Sequence, residues 1–146
     1  MSKDIADLNP RIKDKAADAF QKLNQSQRLK ELGVTAVAIS ETKRDLAVQM
    51  AYYSRSRMRD INDVKKMYKA AGLYIPTDQE CVTPNTWTLS SKHLEGMAVD
   101  FVPVKDGKLW WTAPVTVWEE MGRIGKECGL NWGGDWKTKD CPHFEI

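Results

Sequence analysis

The chain has 146 residues, 42% hydrophobic and 29% charged, with a formal net charge of +2. That length supports one core of ordinary size, and the composition excludes a disordered or fibrous chain. No apolar run reaches the eighteen or so residues of a membrane span, and "MSKDIADLNP" lacks the apolar stretch of a signal peptide, so synthesis without export through such a signal is expected.

Charge is unevenly spread. Residues 1–72 carry 15 Lys and Arg against 9 Asp and Glu, whereas residues 73–146 carry 7 against 11. The basic half suits either solvated helix faces or an anionic partner such as a cell envelope. No basic motif interleaved with aromatics is present, so nucleic acid is not expected as a partner. Three cysteines without paired spacing, Cys81, Cys128 and Cys141, are expected as free thiols.

In chain order, Asn9-Pro10 opens a helix whose Ile12, Ala16, Ala19, Phe20 and Leu23 follow helical spacing. The pattern weakens at Asn24–Gln27, resumes at Leu29 and Leu32, and stops at Gly33, so residues 1–33 form a helical N-terminal part. Val34–Ile39 is rich in β-branched residues and reads as a strand. Helices are predicted over about Lys43–Tyr53, burying Leu46, Ala47, Met50 and Ala51, and over about Asn62–Ala71. Residues 74–92 read as loop. A strand over Met97–Val104 turns through "KDG" into "KLWW". Pro114 opens a helix to about Cys128 with Val117, Met121, Ile124 and Cys128 on one face. "LNW" and "HFEI" read as two short final strands around the loop "GGDWKTKD". Helices early and antiparallel strands late make the class α+β in one domain spanning 1–146, with no linker to a further module.

Two segments carry the chemistry. In "SKHLEGMAVDF", Asp100 lies in a run apolar enough to be buried on both faces, and a buried carboxylate needs a charge partner or a metal. Gly96 permits a turn that folds His93 back over the same strand. In "KDCPHFEI", alternation puts His143 and Glu145 on one face and Phe144 and Ile146 on the other, and Asp140 precedes His143 by three residues. Two histidines and an aspartate with a fourth position open is the donor set of a catalytic zinc site. Taken singly, each of these residues has an ordinary structural reading; together they point to a metal site. Glu145 reads either as a partner orienting His143 or as a solvated edge carboxylate. Trp132, Asp135 and Trp136 lie beside the site in sequence, and the tryptophans suit a peptide groove or the core. Cys141 reads as a free thiol in preference to a fourth ligand.

Ser91-x-His93-x-x-Gly96-x-Ala98-x-Asp100, followed by "GLNWGGDW" and "DCPHFE", closely resembles the VanY-type zinc peptidases over about residues 34–146. That family comprises D-alanyl-D-alanine carboxypeptidases and dipeptidases and L-alanyl-D-glutamate endopeptidases of peptidoglycan (the LAS-type peptidases). The resemblance implies a hedgehog/D,D-peptidase-like fold, with a small antiparallel sheet carrying the zinc, N-terminal helices and one helix in the C-terminal half. It implies one zinc on His93, Asp100 and His143, with Asp140 as catalytic base. Many members carry Glu and a Trp-His pair where this chain has Asp140 and Pro142-His143, a departure resembling the endopeptidase branch that includes phage endolysins. Arg44, with Gln49 five residues on, matches the arginine that steadies the substrate carbonyl or its oxyanion; a solvent-facing arginine is the other reading. Ser91 matches a Ser or Thr two residues before the first ligand, suited to a cap or a contact behind it. The activity so implied is hydrolysis of the L-Ala–D-Glu bond of bacterial peptidoglycan by a monomer that meets the wall after release from the cytoplasm. A D,D-carboxypeptidase and a non-catalytic zinc-stabilised wall-binding module are the alternatives.

Overall fold

A computed structural model describes residues 1–146. Asn9 caps the first helix, α1 (Pro10–Gln25), by accepting from the Arg11 N–H at 3.0 Å, and the helix buries Ile12, Ala16, Ala19 and Leu23. Ser26 ends α1 and at once caps α2 (Gln27–Glu31) through Leu29 N–H. These two helices make up the expected helical N-terminal part.

The strands β1 (Ala36–Glu41), β2 (Ala98–Lys105), β3 (Lys108–Leu109), β4 (Asn131–Trp132) and β5 (His143–Glu145) form one antiparallel sheet. Its order is β1-β2-β5-β4, with β3 added to the far end of β2. Asp106 and Gly107 both adopt positive φ (51° and 73°), the conformation a two-residue hairpin turn demands. The β3 strand is shorter than "KLWW" suggested: pairing ends at Leu109, and Trp111 is exposed.

Helix α1 and the later helix α6 (Val115–Glu127) lie against the sheet, and the core forms there from Ile12, Leu23, Phe101, Val117, Met121, Phe144 and their neighbours. The remaining helices, α3 (Leu46–Ser54), α4 (Ile61–Ala70) and α5 (Asp78–Val82), close a smaller cluster of Ala51, Val64, Tyr68 and Cys81. Two expectations need correction here. α3 turns Val48, Gln49, Ala51 and Ser54 inward while Leu46 and Met50 are exposed, because Gln49 is drawn inside by hydrogen bonds described below. And α5 occupies part of the expected loop. A reciprocal cap starts it, Thr77 accepting from Glu80 N–H and Glu80 from Thr77 N–H.

Candidate metal centre

β2 and β5 pair with Asp100 directly opposite His143. His93 arrives from a single 3-10 turn, Lys92–Glu95, capped by Ser91, whose hydroxyl accepts from the His93 N–H at 3.3 Å. Gly96 closes that turn at φ +67°, and a side chain there would press on the Asn9 and Asp7 backbone at 3.1 and 3.3 Å. Glycine is needed for both reasons.

The result is a tight triangle. His93 Nε2 and His143 Nδ1 lie 3.2 Å apart. Each is 3.2 Å from Asp100 Oδ1. The outer nitrogens are committed elsewhere: His93 Nδ1 lies 2.6 Å from the Thr42 carbonyl and His143 Nε2 lies 2.8 Å from Glu145 Oε2. A carbonyl and a carboxylate only accept, so both outer nitrogens carry the hydrogens. In the neutral rings the two inner nitrogens are then bare lone pairs facing each other beside an anionic oxygen. That arrangement is repulsive without a positive charge at its centre, and it fits a divalent cation held by two imidazoles and one carboxylate.

The electrostatics agree. Burial works to raise Asp100, but when the metal-free imidazoles are protonated their inner N–H groups and charge, those of His143 first and then His93, outweigh it and hold the carboxyl well below its usual range. Burial works to lower His143, and the bond and charge of Asp100, with Glu145, instead push it up to about 8. Asp140 sits at the solvent-facing rim. Partial desolvation of its carboxyl and then the negative Asp100 raise its pKa, against the pull of His143, His93 and Arg44. Its main chain is fixed by Asp140 N–H donating to Gly133 O at 3.0 Å and by His143 N–H donating to Asp140 O at 3.2 Å.

Arg44 is buried beside this group, so the solvent-facing reading fails. Its backbone N–H donates to the His93 carbonyl at 3.0 Å. Its guanidinium donates from Nε (2.6 Å) and Nη2 to the two oxygens of Glu41, and from Nη1 to Gln49 Oε1 at 2.6 Å. Gln49 then donates through Nε2 to the Thr88 carbonyl at 2.6 Å, tying α3 to the loop before His93.

The tryptophans part company. Trp136 keeps its ring 5.0 Å from that of His143 and is partly exposed, as a groove wall requires. Trp132 is in the core instead, its Nε1–H donating to Cys141 O at 2.7 Å and its ring against Gly122 and Gly134. Asp135 is exposed, lies outside the metal-facing group and pairs with Lys126 of α6 at 2.9 Å. The three cysteines are free, and Cys141 is outside the metal-facing group. Glu41 and Thr42 are the residues that sequence reasoning missed. Thr42 acts through its carbonyl, which no side-chain pattern reveals; Glu41 showed the same anomaly as Asp100, an acid at the end of an apolar strand.

Residues 84–146 match the model of a family described as D-alanyl-D-alanine carboxypeptidase. Over 65 residues the chain is 40% identical to the peptidoglycan L-alanyl-D-glutamate endopeptidase CwlK of Bacillus subtilis, covering 38% of this chain and 39% of that protein. It is 38% identical over 61 residues to the L-alanyl-D-glutamate peptidase of Escherichia phage T5, covering 38% of this chain and 44% of that one. The chain thus spans about two fifths of the length of the curated relatives it matches. A solved structure, the L-Ala D-Glu endopeptidase ChiX of Serratia marcescens, superposes with a TM-score of 0.57 at 23% identity over 97% of this chain and 82% of that one, which is a likeness of fold. The α+β architecture with its small antiparallel sheet is shared with that structure, and the stretch that matches the D-alanyl-D-alanine carboxypeptidase model, residues 84–146, holds all three metal-facing side chains and Asp140.

Proposed function

We propose that the protein is a zinc peptidase that hydrolyses the L-Ala–D-Glu bond in the stem peptide of bacterial peptidoglycan. The observation that carries this reading is the convergence of His93 Nε2, Asp100 Oδ1 and His143 Nδ1 with both outer imidazole nitrogens already tied to acceptors. Zinc held by these three atoms would supply Lewis acidity and would lower the pKa of water to about 7.

The chain's own residues do the rest. Thr42 and Glu145 fix the two rings so that their free nitrogens point inward. Asp140, its pKa raised by desolvation and by the negative Asp100, accepts the proton of the attacking water and returns it to the departing amine. Arg44 offers its remaining donors to the substrate carbonyl as negative charge builds there, a contribution of roughly 3–4 kcal/mol for a well-placed donor. Trp136 walls the groove beside His143. The relatives' names favour the endopeptidase; the description of the family model favours the second reading, a D,D-carboxypeptidase. We place the site of action at the cell wall, reached after release from the cytoplasm, and expect a monomer.

Mass spectrometry of peptidoglycan digested by the zinc-loaded protein decides between them. New peptides beginning with D-Glu are expected; release of D-alanine alone refutes the endopeptidase. Asp140→Ala is expected to keep one zinc and lose wall hydrolysis by about 100-fold or more. Loss of zinc with that change makes Asp140 a ligand and overturns its assignment as base.

A further inference from the structure

We infer that Glu41 is a positioning residue that clamps Arg44 in the orientation from which it meets the substrate carbonyl. The function of that orientation rests on the peptidase reading above; the clamp itself does not.

Glu41 reaches its place through an irregularity. Along β1, Ile39 pairs with Phe101 and Glu41 pairs with Asp100, so two steps on β1 match one on β2. This is a bulge at Ser40, a device that re-aims side chains beside functional sites. It sets the buried carboxylate of Glu41 directly across the strands from the half-buried one of Asp100. Like charges opposite each other destabilise a sheet, and a buried acid without a partner costs still more. Arg44 answers both acids. It forms a bidentate pair with Glu41 and also feels the charge of Asp100, and these outweigh the burial that works against its charge.

A buried ion pair of this kind is a poor source of stability compared with apolar packing. As a geometric device it is effective. Two bonds from Glu41 and one from Gln49 hold the guanidinium in its plane, and the Tyr52 ring lies 4.9 Å away over its face. Of the five N–H groups of a guanidinium, three are spent on this frame, leaving one on each Nη. The same short run holds the metal-facing histidine: Thr42 O takes the His93 Nδ1 hydrogen and Arg44 N–H binds His93 O. Residues 41–44 therefore couple the position of Arg44 to that of a ligand, and Glu41 is the member that leaves Arg44 no second rotamer.

Two measurements test this. The first needs no catalysis: the Arg44 Nε–H signal in nitrogen-15 NMR is expected to exchange slowly with water in the parent protein and rapidly in Glu41→Gln. Rapid exchange in the parent, or undiminished protection in the variant, overturns the clamp. The second is a cycle of Glu41→Gln, Arg44→Ala and the double variant on a muropeptide, with zinc content measured for each. Glu41→Gln is expected to keep one zinc and lose about 10–100-fold in kcat with little change in KM, less than the roughly 100–1,000-fold seen when a transition-state donor is removed outright. On the Arg44→Ala background the same change is expected to cost nothing further. Parent-like kcat in Glu41→Gln, a higher kcat, or losses that multiply each overturn the positioning role. If the parent fails to cleave peptidoglycan, the peptidase reading falls, and the exchange measurement still decides whether Glu41 holds Arg44.

Discussion

Raising the pH of the metal-free protein takes from His143 a proton that folding helps it to keep. Its pKa in the fold is pushed up to about 8 against an ordinary 6.5, because Asp100 and Glu145 flank it closely enough to outweigh its burial. A group bound more tightly in the folded state stabilises that state while it is protonated. The contribution is therefore fully present below pH 6.5 and lost as the pH rises through 8. At about 1.4 kcal/mol per pH unit the difference amounts to about 2 kcal/mol. For a chain of this size that lowers Tm by about 4–8 °C. Calorimetric melts in excess chelator at pH 6 and pH 9 read it directly, and His143→Asn is expected to flatten the difference. A metal-free Tm that is unchanged or rises over that interval refutes the reasoning, since it means that no charged imidazole sits between the two acids. With zinc in excess the trend reverses for affinity: the metal needs the deprotonated ring, so binding tightens as the proton leaves.

Glu145→Ala frees the outer hydrogen of His143 and with it the choice of tautomer; zinc affinity is expected to fall about 10–100-fold in a chelator competition, and an unchanged affinity removes Glu145 from the centre. Gly125→Ala adds a methyl that overlaps the Phe144 ring. The gain in helix propensity, about 1 kcal/mol, is outweighed by overpacking of roughly 1–3 kcal/mol, so the urea midpoint is expected to drop, and a rise shows that Phe144 moves aside freely.

Much of the centre was legible because its anomalies are local. Asp100 in an apolar strand, the alternation of His143 and Glu145, and the turn at Gly96 each break or keep a short-range rule that a reader of sequence applies. The same holds for the Asn9 cap and the Asp106-Gly107 turn. What escaped depends on partners far along the chain. The carbonyl that fixes His93 belongs to Thr42, 51 residues earlier. α3 has apolar residues that suggest one buried face, yet Gln49 is inside and Leu46 and Met50 are out, since the polar network around Arg44 sets the rotation. Trp132 and Trp136 look alike in sequence; only the bare backbones of Gly122 and Gly134 admit the first to the core. Asp135 and Asp140 were separated in the same way, one claimed by Lys126 and the other left at the rim.

The indole of Trp132 has a consequence beyond filling space. It lies against both Gly122 of α6 and Gly134, and its N–H donates to the carbonyl of Cys141, the residue after Asp140. Trp132 thus links α6 to the residue that follows the proposed base. α6 supplies no atom to the metal-facing group, yet a tilt of that helix moves the ring, and the ring carries Asp140 with it. On the proposed mechanism, proton transfer at the rim is then open to tuning by substitutions on a helix that supplies no metal-facing atom.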